Sequence, residues 1–251
     1  MKLTENLKAA WKTIREQPKG ERFSYFWEYY KWPAIVAVVL VAALLSSIVG
    51  LINRKETVFT GYILNSNAIE KDDEFLQGFY DYAGIDANKQ EAAFYTDMYF
   101  MPGYNQKNTE VFQRILGGIH TGDADFIAGP TEHFQRCAYH PSRMFADLRE
   151  FLDEETFAKL SDRFYYVDGA ILDQLNAPVG ESVNTAGILY PNPLKPELME
   201  NPIPVGIAVG DRETFRASYY YSPDTDLYLG VITSTTRPEL MLQFINYLFS
   251  Q

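Results

Sequence analysis

The chain has 251 residues, with 22 basic and 33 acidic side chains, 47% hydrophobic residues and one cysteine. A single cysteine excludes an internal disulfide, so the fold must rest on its apolar core. Charge is unevenly divided: residues 1–55 carry nine basic and four acidic side chains, leaving 13 basic and 29 acidic ones in residues 56–251, a balance that disfavours nucleic acid and anionic lipid as ligands of the larger part.

Residues 1–32 hold seven basic side chains, and Leu3, Leu7, Ala10, Trp11 and Ile14 recur at helical spacing, the pattern of a basic amphipathic segment that lies on a membrane surface or of an ordinary solvated helix. Pro33 to Ile52 is an uncharged apolar run, and about 20 such residues suffice to cross a bilayer as one helix. Its only polar residues, Ser46 and Ser47, can bond back to preceding carbonyls. Trp27, Tyr29, Tyr30, Lys31 and Trp32 precede the run and Arg54 and Lys55 follow it, as suits the headgroup layers. The basic N-terminal side is expected in the cytoplasm, with the helix an uncleaved, single-pass signal anchor and the long domain after it extracellular. The expected organisation is therefore a cytoplasmic segment 1–32, a transmembrane helix 33–52 and an extracytoplasmic domain 56–251.

Within that domain, strand and helix signals alternate. Strands are expected at Val58–Leu64, Ala92–Phe100 and Asp125–Ala128, with helices at Asp72–Ile85 and at Thr109–Ile119, the latter capped by Thr109 and weakened at Gly117-Gly118. Helical patterns follow within Thr131–Leu160, chiefly Phe145–Leu152 and Glu154–Leu160, and then a strand at Phe164–Val167. Four prolines between Asn176 and Asn201 forbid long elements, leaving a short strand at Thr185–Tyr190. Strands at Pro204–Val209 and Leu227–Thr233, a helical turn at Arg212–Arg216 and a closing helix at Pro238–Phe249 complete the pattern. The fold class is α/β, with parallel or mixed sheets covered by helices.

Several stretches carry a resemblance. The run from Val111 to Gly129 (VFQRILGGIHTGDADFIAG), the segment Met144–Leu152 (MFADLREFL), and the late pair VGIAVGDRETF and LYLGVITSTTRPELMLQFINYLFS resemble, in that order, segments of bacterial extracellular solute-binding proteins of the type II periplasmic kind. The opening FWEYYKW with an apolar helix after it is similar to anchored Gram-positive proteins that carry such a domain outside. The resemblance covers about half of the domain. It implies one lobe of about 56–130 plus the C-terminal helix, a reduced second lobe of about 131–226, and a non-enzymatic role in binding, transport or sensing.

Ligands of parallel α/β sheets sit beyond the carboxyl ends of the strands. That rule nominates Asn65, Ser66, Asn67, Tyr104, Gly129, Thr131, Ser234 and Thr235 as contacts for a small polar ligand, against the plainer reading that they make turns and caps. Catalysis is not expected: nucleophile-elbow, phosphate-loop, dinucleotide and zinc-helix motifs are all missing from the sequence. His133 and Cys137 stand at i and i+4, with His140 and His120 not far away, a spacing able to hold zinc, but four ligands would have to converge from a short region, so neither a metal nor a cofactor is expected. The expected partners are the bilayer, through residues 33–52, and either a small polar ligand or a subunit of a membrane transporter or surface complex, with nucleic acid excluded.

Overall fold

The computed structural model describes residues 11–16, 18, 20–52, 54–67, 73–103, 105–176 and 188–250. It divides into two units, 1–54 and 55–251. In the first, residues 11–16 are helical, while Leu3, Leu7 and Ala10 lie outside the described residues. Helix α1 (Arg22–Ile52) is 31 residues long and contains Pro33, which gives it a length of about 46 Å. Its Lys31–Gly50 window has a mean hydropathy of 2.5 and none of it is buried, so these side chains belong to no folded core. The helix is long and apolar enough for a membrane anchor or a signal sequence. It starts upstream of the apolar run, placing the exposed Trp27 and Trp32 on the same rod, and the Ser47 hydroxyl donates to the Ala43 carbonyl at 2.9 Å.

The second unit is built on one six-stranded sheet: β1 (Glu56–Leu64), β2 (Gln90–Met98), β3 (Phe126–Pro130), β4 (Phe164–Asp168), β5 (Pro202–Ala208) and β6 (Leu227–Val231), in the order β2-β1-β3-β6-β5-β4. Its first half is parallel, since β1 pairs parallel with both β2 and β3. Its second half is antiparallel, β3 with β6, β6 with β5 and β5 with β4. The carboxyl ends of β1, β2, β3 and β5 therefore share one edge with the amino ends of β4 and β6.

Helices cover both faces. On one face α2 (Asp73–Ala83), α5 (Leu148–Phe151), α6 (Glu154–Leu160), α8 (Glu213–Ser218) and α9 (Pro238–Ser250) pack on Phe59, Ile63, Phe126, Leu229 and Val231. On the other, α3 (Gln106–Thr121), α4 (Thr131–Ala138) and α7 (Gly169–Leu175) pack on Tyr62, Leu64, Ile127, Tyr165 and Tyr228. The period-two alternation of each strand explains the division. In β5 the alternation breaks where the pairing of Tyr165 with Gly206 passes to that of Tyr166 with Pro204. Val205 is the extra residue of this bulge, which lets Val205 and Ile207 join opposite cores.

Several elements differ from expectation. Helix α3 starts earlier, capped by the Asn105 carboxamide on the Lys107 N–H at 2.9 Å rather than by Thr109, and it ends at Gly122, whose φ of 71° stops the helix. Gly118 lies inside it for close packing, because a Cβ there would stand 2.2 Å from the Tyr62 hydroxyl. The helix expected at Phe145–Leu152 shrinks to α5: Phe145 bridges to Ile232 and the Ala146 N–H donates to the Val231 carbonyl, so β6 takes the backbone groups a helix would have used. Helix α7 was not anticipated, and it starts on the Asp168 side chain, which accepts from the Ala170 N–H. Of the expected strand at Thr185–Tyr190, residues 185–187 lie outside the described residues and 188–190 are not a strand. The stretch expected as a second lobe contributes β4 and β5 to the same sheet as β1, so the two stretches share one sheet instead of building separate ones.

Candidate functional site

Helix α2 leaves β1 over one face and α3 leaves β2 over the other, so the chain reverses its winding between the carboxyl ends of β1 and β3, where ligands of such sheets bind. Asn65, Ser66, Asn67, Gly129 and Thr131 do gather at this edge. Their polar groups, however, are turned onto the chain itself. The Asn65 carboxamide donates to the Phe100 carbonyl at 3.0 Å and accepts from the Phe100 N–H at 2.9 Å. The buried Ser66 hydroxyl donates to the Tyr219 carbonyl at 2.9 Å and Asn67 donates to the Tyr220 carbonyl at 3.3 Å. Tyr221 returns a hydrogen bond from its hydroxyl to the Leu64 carbonyl. Tyr219–Tyr221 thus occupies the crevice, with left-handed backbone on both sides of the contact, at Asn65 (φ 49°) and Tyr220 (φ 54°). Gly129 serves packing, since a Cβ there would lie 2.6 Å from that of Leu64.

Ser234 and Thr235 lie at the opposite edge, because β6 runs antiparallel to β3 and its end points the other way. There they clamp a buried carboxylate. Asp125 accepts from the Thr60 N–H at 2.7 Å, from the Thr235 hydroxyl at 2.6 Å and from Arg237 Nε at 3.0 Å. Ser234 donates to the Ile119 carbonyl at 2.9 Å, tying the end of α3 to the same corner. Tyr104 lies outside the described residues.

The open space at the carboxyl edge is displaced toward β5 and β6. A cavity of about 570 Å³ is lined by Arg163, Ala208, Gly210, Asp211, Glu213, Arg216, Asp226, Leu227 and Tyr228, a size suited to a small ligand. Thr131 touches its rim, donating from its backbone N–H to the Asp226 carbonyl at 3.1 Å. One wall is pre-paired: Arg163 Nη1 donates to Asp211 at 2.8 Å, Arg212 also bonds Asp211, and both guanidinium groups lie over the Phe249 ring, at 5.6 and 5.1 Å. The hydrogen bond from Arg212 first, then Arg163, holds the Asp211 carboxyl down at about 2, against the opposing effect of burial. This stabilisation is present above the ordinary aspartate value of 3.8 and is lost as pH falls toward about 2. A carbon-detected NMR titration of residues 55–251 should find the Asp211 midpoint near 2, and Arg212→Ala should return it toward 3.8.

Cys137 is fully buried and burial pushes its thiol up to about 12, so the thiolate a metal would need is disfavoured. Burial also lowers the basicity of His133 and His140, whose rings lie against Phe100 and Phe112. His120 is exposed near the end of α3, with Nδ1 2.8 Å from the Leu116 carbonyl. Among the described residues no group of three or more His, Cys, Asp or Glu side chains could hold a metal ion.

No protein-family model, curated protein or solved structure matches the chain. Sequence reasoning passed over Arg163, Gly210, Arg216 and Asp226. The one signal for them was a pair of arginines at i and i+4, Arg212 and Arg216, after a Gly-Asp turn in an acidic domain, a pattern shared with many solvated helix turns.

Proposed function

We propose that the chain is a membrane-anchored, non-enzymatic, solute-binding-like protein whose acidic domain lies outside the cytoplasmic membrane and takes a small polar ligand. The observation that carries the reading is the charged cavity of about 570 Å³ at the carboxyl edge of a helix-covered sheet. The apolar helix supports the anchor, and the basic residues before it support an N-terminus held inside. A ligand at 100 times its dissociation constant adds about 2.7 kcal/mol, which for a unit of this size raises the melting temperature by roughly 5–11 °C. A thermal-shift screen of amino acids, sugars, peptides and metal ions should contain such a ligand, and a screen without a shift rejects the reading. Protease treatment of intact cells should remove residues 55–251, and full protection rejects the topology.

A second reading, an accessory subunit of a transporter or surface assembly without a small-molecule ligand, is favoured by the Tyr219–Tyr221 segment that fills the β1/β3 crevice. It requires a silent screen together with a stoichiometric membrane partner after crosslinking and purification of the full chain.

A further inference from the structure

Eight arginines lie in residues 55–251, and seven of them are ion-paired: Arg114, Arg136, Arg143, Arg149, Arg163, Arg212 and Arg237. Arg216 is the exception. Among the described residues it makes no ion pair, it lines the cavity, and its Nε is buried without a hydrogen-bond partner. In a domain where acidic side chains outnumber basic ones by 29 to 13, a half-buried arginine with no carboxylate on it is out of keeping with the rest of the molecule. Burying donors without acceptors is costly, and a guanidinium cannot shed its proton to escape that cost. The side chain is also closely confined: a Cβ on Gly210 would lie 3.3 Å from Arg216 Nη2 and 3.3 Å from the Leu227 nitrogen, so glycine leaves room for the guanidinium beside the start of β6.

The rest of the lining has the opposite imbalance. Asp211 is neutralised by Arg163 and Arg212, whereas Glu213 and Asp226 line the same cavity without an ion pair among the described residues. Among the described residues, one free cation thus shares the space with two free carboxylates. A planar, forked guanidinium is matched by a carboxylate, and two separate carboxylates are matched by two cationic groups. We infer that this cavity binds a free basic α-amino acid, its carboxylate on Arg216 and its two cationic groups toward Glu213 and Asp226. The inference rests on the solute-binding reading above and sharpens it to one ligand class and one anchoring residue.

The test is calorimetric titration of the full chain in detergent micelles with L-lysine, L-alanine, L-glutamate and cadaverine, the last being lysine without its carboxylate. The expected order is lysine tightest, alanine weaker and glutamate weakest, with cadaverine at least 10-fold weaker than lysine. Arg216→Gln should weaken lysine roughly 10- to 100-fold, the range expected for losing a hydrogen-bonded charged partner, while its circular dichroism and melting temperature stay those of the parent. If lysine fails to bind while a sugar or an acidic solute does, this inference is overturned and the solute-binding reading stands. If no solute of any class binds, both fall. Equal affinity for lysine and cadaverine also overturns it, with no reliance on any variant, as does unchanged lysine affinity in Arg216→Gln.

Discussion

Replacing Asp125 by alanine is expected to lower the unfolding free energy of the 55–251 unit by about 3–5 kcal/mol, the usual cost of removing one partner from a buried ion pair. Asp125 is fully buried at the amino end of β3 and its carboxylate serves three elements at once: the Thr60 N–H in β1, the Thr235 hydroxyl after β6, and Arg237 at the start of α9. Arg237 also donates to the carbonyls of Gly122 and Asp123, which end α3. Without the carboxylate, the buried Thr60 N–H and the partly buried Arg237 Nε lose their acceptor. Asp125→Asn should cost less, because its carbonyl oxygen can still accept one of these bonds. Burial raises the Asp125 carboxyl, against the hydrogen bonds from Thr235 and Thr60 and the charge of Arg237. A raised folded-state value means that the favourable contribution is full below 3.8 and declines as pH rises through the shifted value. The stability of the parent relative to Asp125→Asn should therefore grow as pH falls from 7 toward 4, opposite in sign to the Asp211 contribution. Urea unfolding at a series of pH values checks both statements, and a difference that is flat or shrinks toward acid removes the argument.

Phe126→Ala should cost about 3–5 kcal/mol by the cavity it leaves, lowering the melting temperature by roughly 6–20 °C. The Phe126 ring packs 4.9 Å from Phe244, 5.1 Å from Phe94 and 5.6 Å from Phe59, linking α9 to the two parallel strands that flank the first helix crossover. It reaches that position by lying across Gly61 of β1, where a Cβ would be 2.1 Å from the ring. Gly61→Ala alone should therefore cost about 1–3 kcal/mol by overpacking. Combined, the two changes should cost less than their sum, because the ring that collides with the new methyl is gone and the methyl fills part of the void. A double-mutant cycle by urea denaturation should return a favourable coupling of about 0.5–3 kcal/mol. Additive costs would mean that the two positions do not share the space.

Much of the fold was legible because its signals are local. The apolar run of α1 can be read residue by residue, and the strands at 58–64, 164–167 and 204–209 show in their β-branched and aromatic residues. Boundaries were less legible where a cap depends on which side chain wins, as at Asn105 against Thr109, or where another strand takes the backbone, as at Phe145 and Ala146. The candidate site was the least legible. Asn65, Ser66 and Asn67 lie at the carboxyl edge, as the strand-end rule placed them, yet Asn65 is bonded to Phe100, and Ser66 and Asn67 are bonded to Tyr219 and Tyr220, more than 150 positions along the chain. Ser234 and Thr235 lie at the other edge from Asn65, Ser66 and Asn67, which sequence could not show because a five-residue strand such as β6 carries no sign of its direction.

Composition, charge division and periodicity by themselves determined that this protein has an apolar helix of spanning length, an acidic disulfide-free domain after it, and alternating helices and strands in that domain. Each of these depends on residues close together in sequence, whose spacing decides what is apolar, what is charged and what repeats with period two or 3.6. Only the tertiary structure decided that the strands form a single sheet, that β6 enters it antiparallel, that the crevice at β1 and β3 is filled by the chain's own tyrosines, and that Arg216 alone among the domain's arginines has no carboxylate among the described residues. Those outcomes depend on pairings between distant segments, where strand direction, close approach over glycine and the matching of charges are settled by packing.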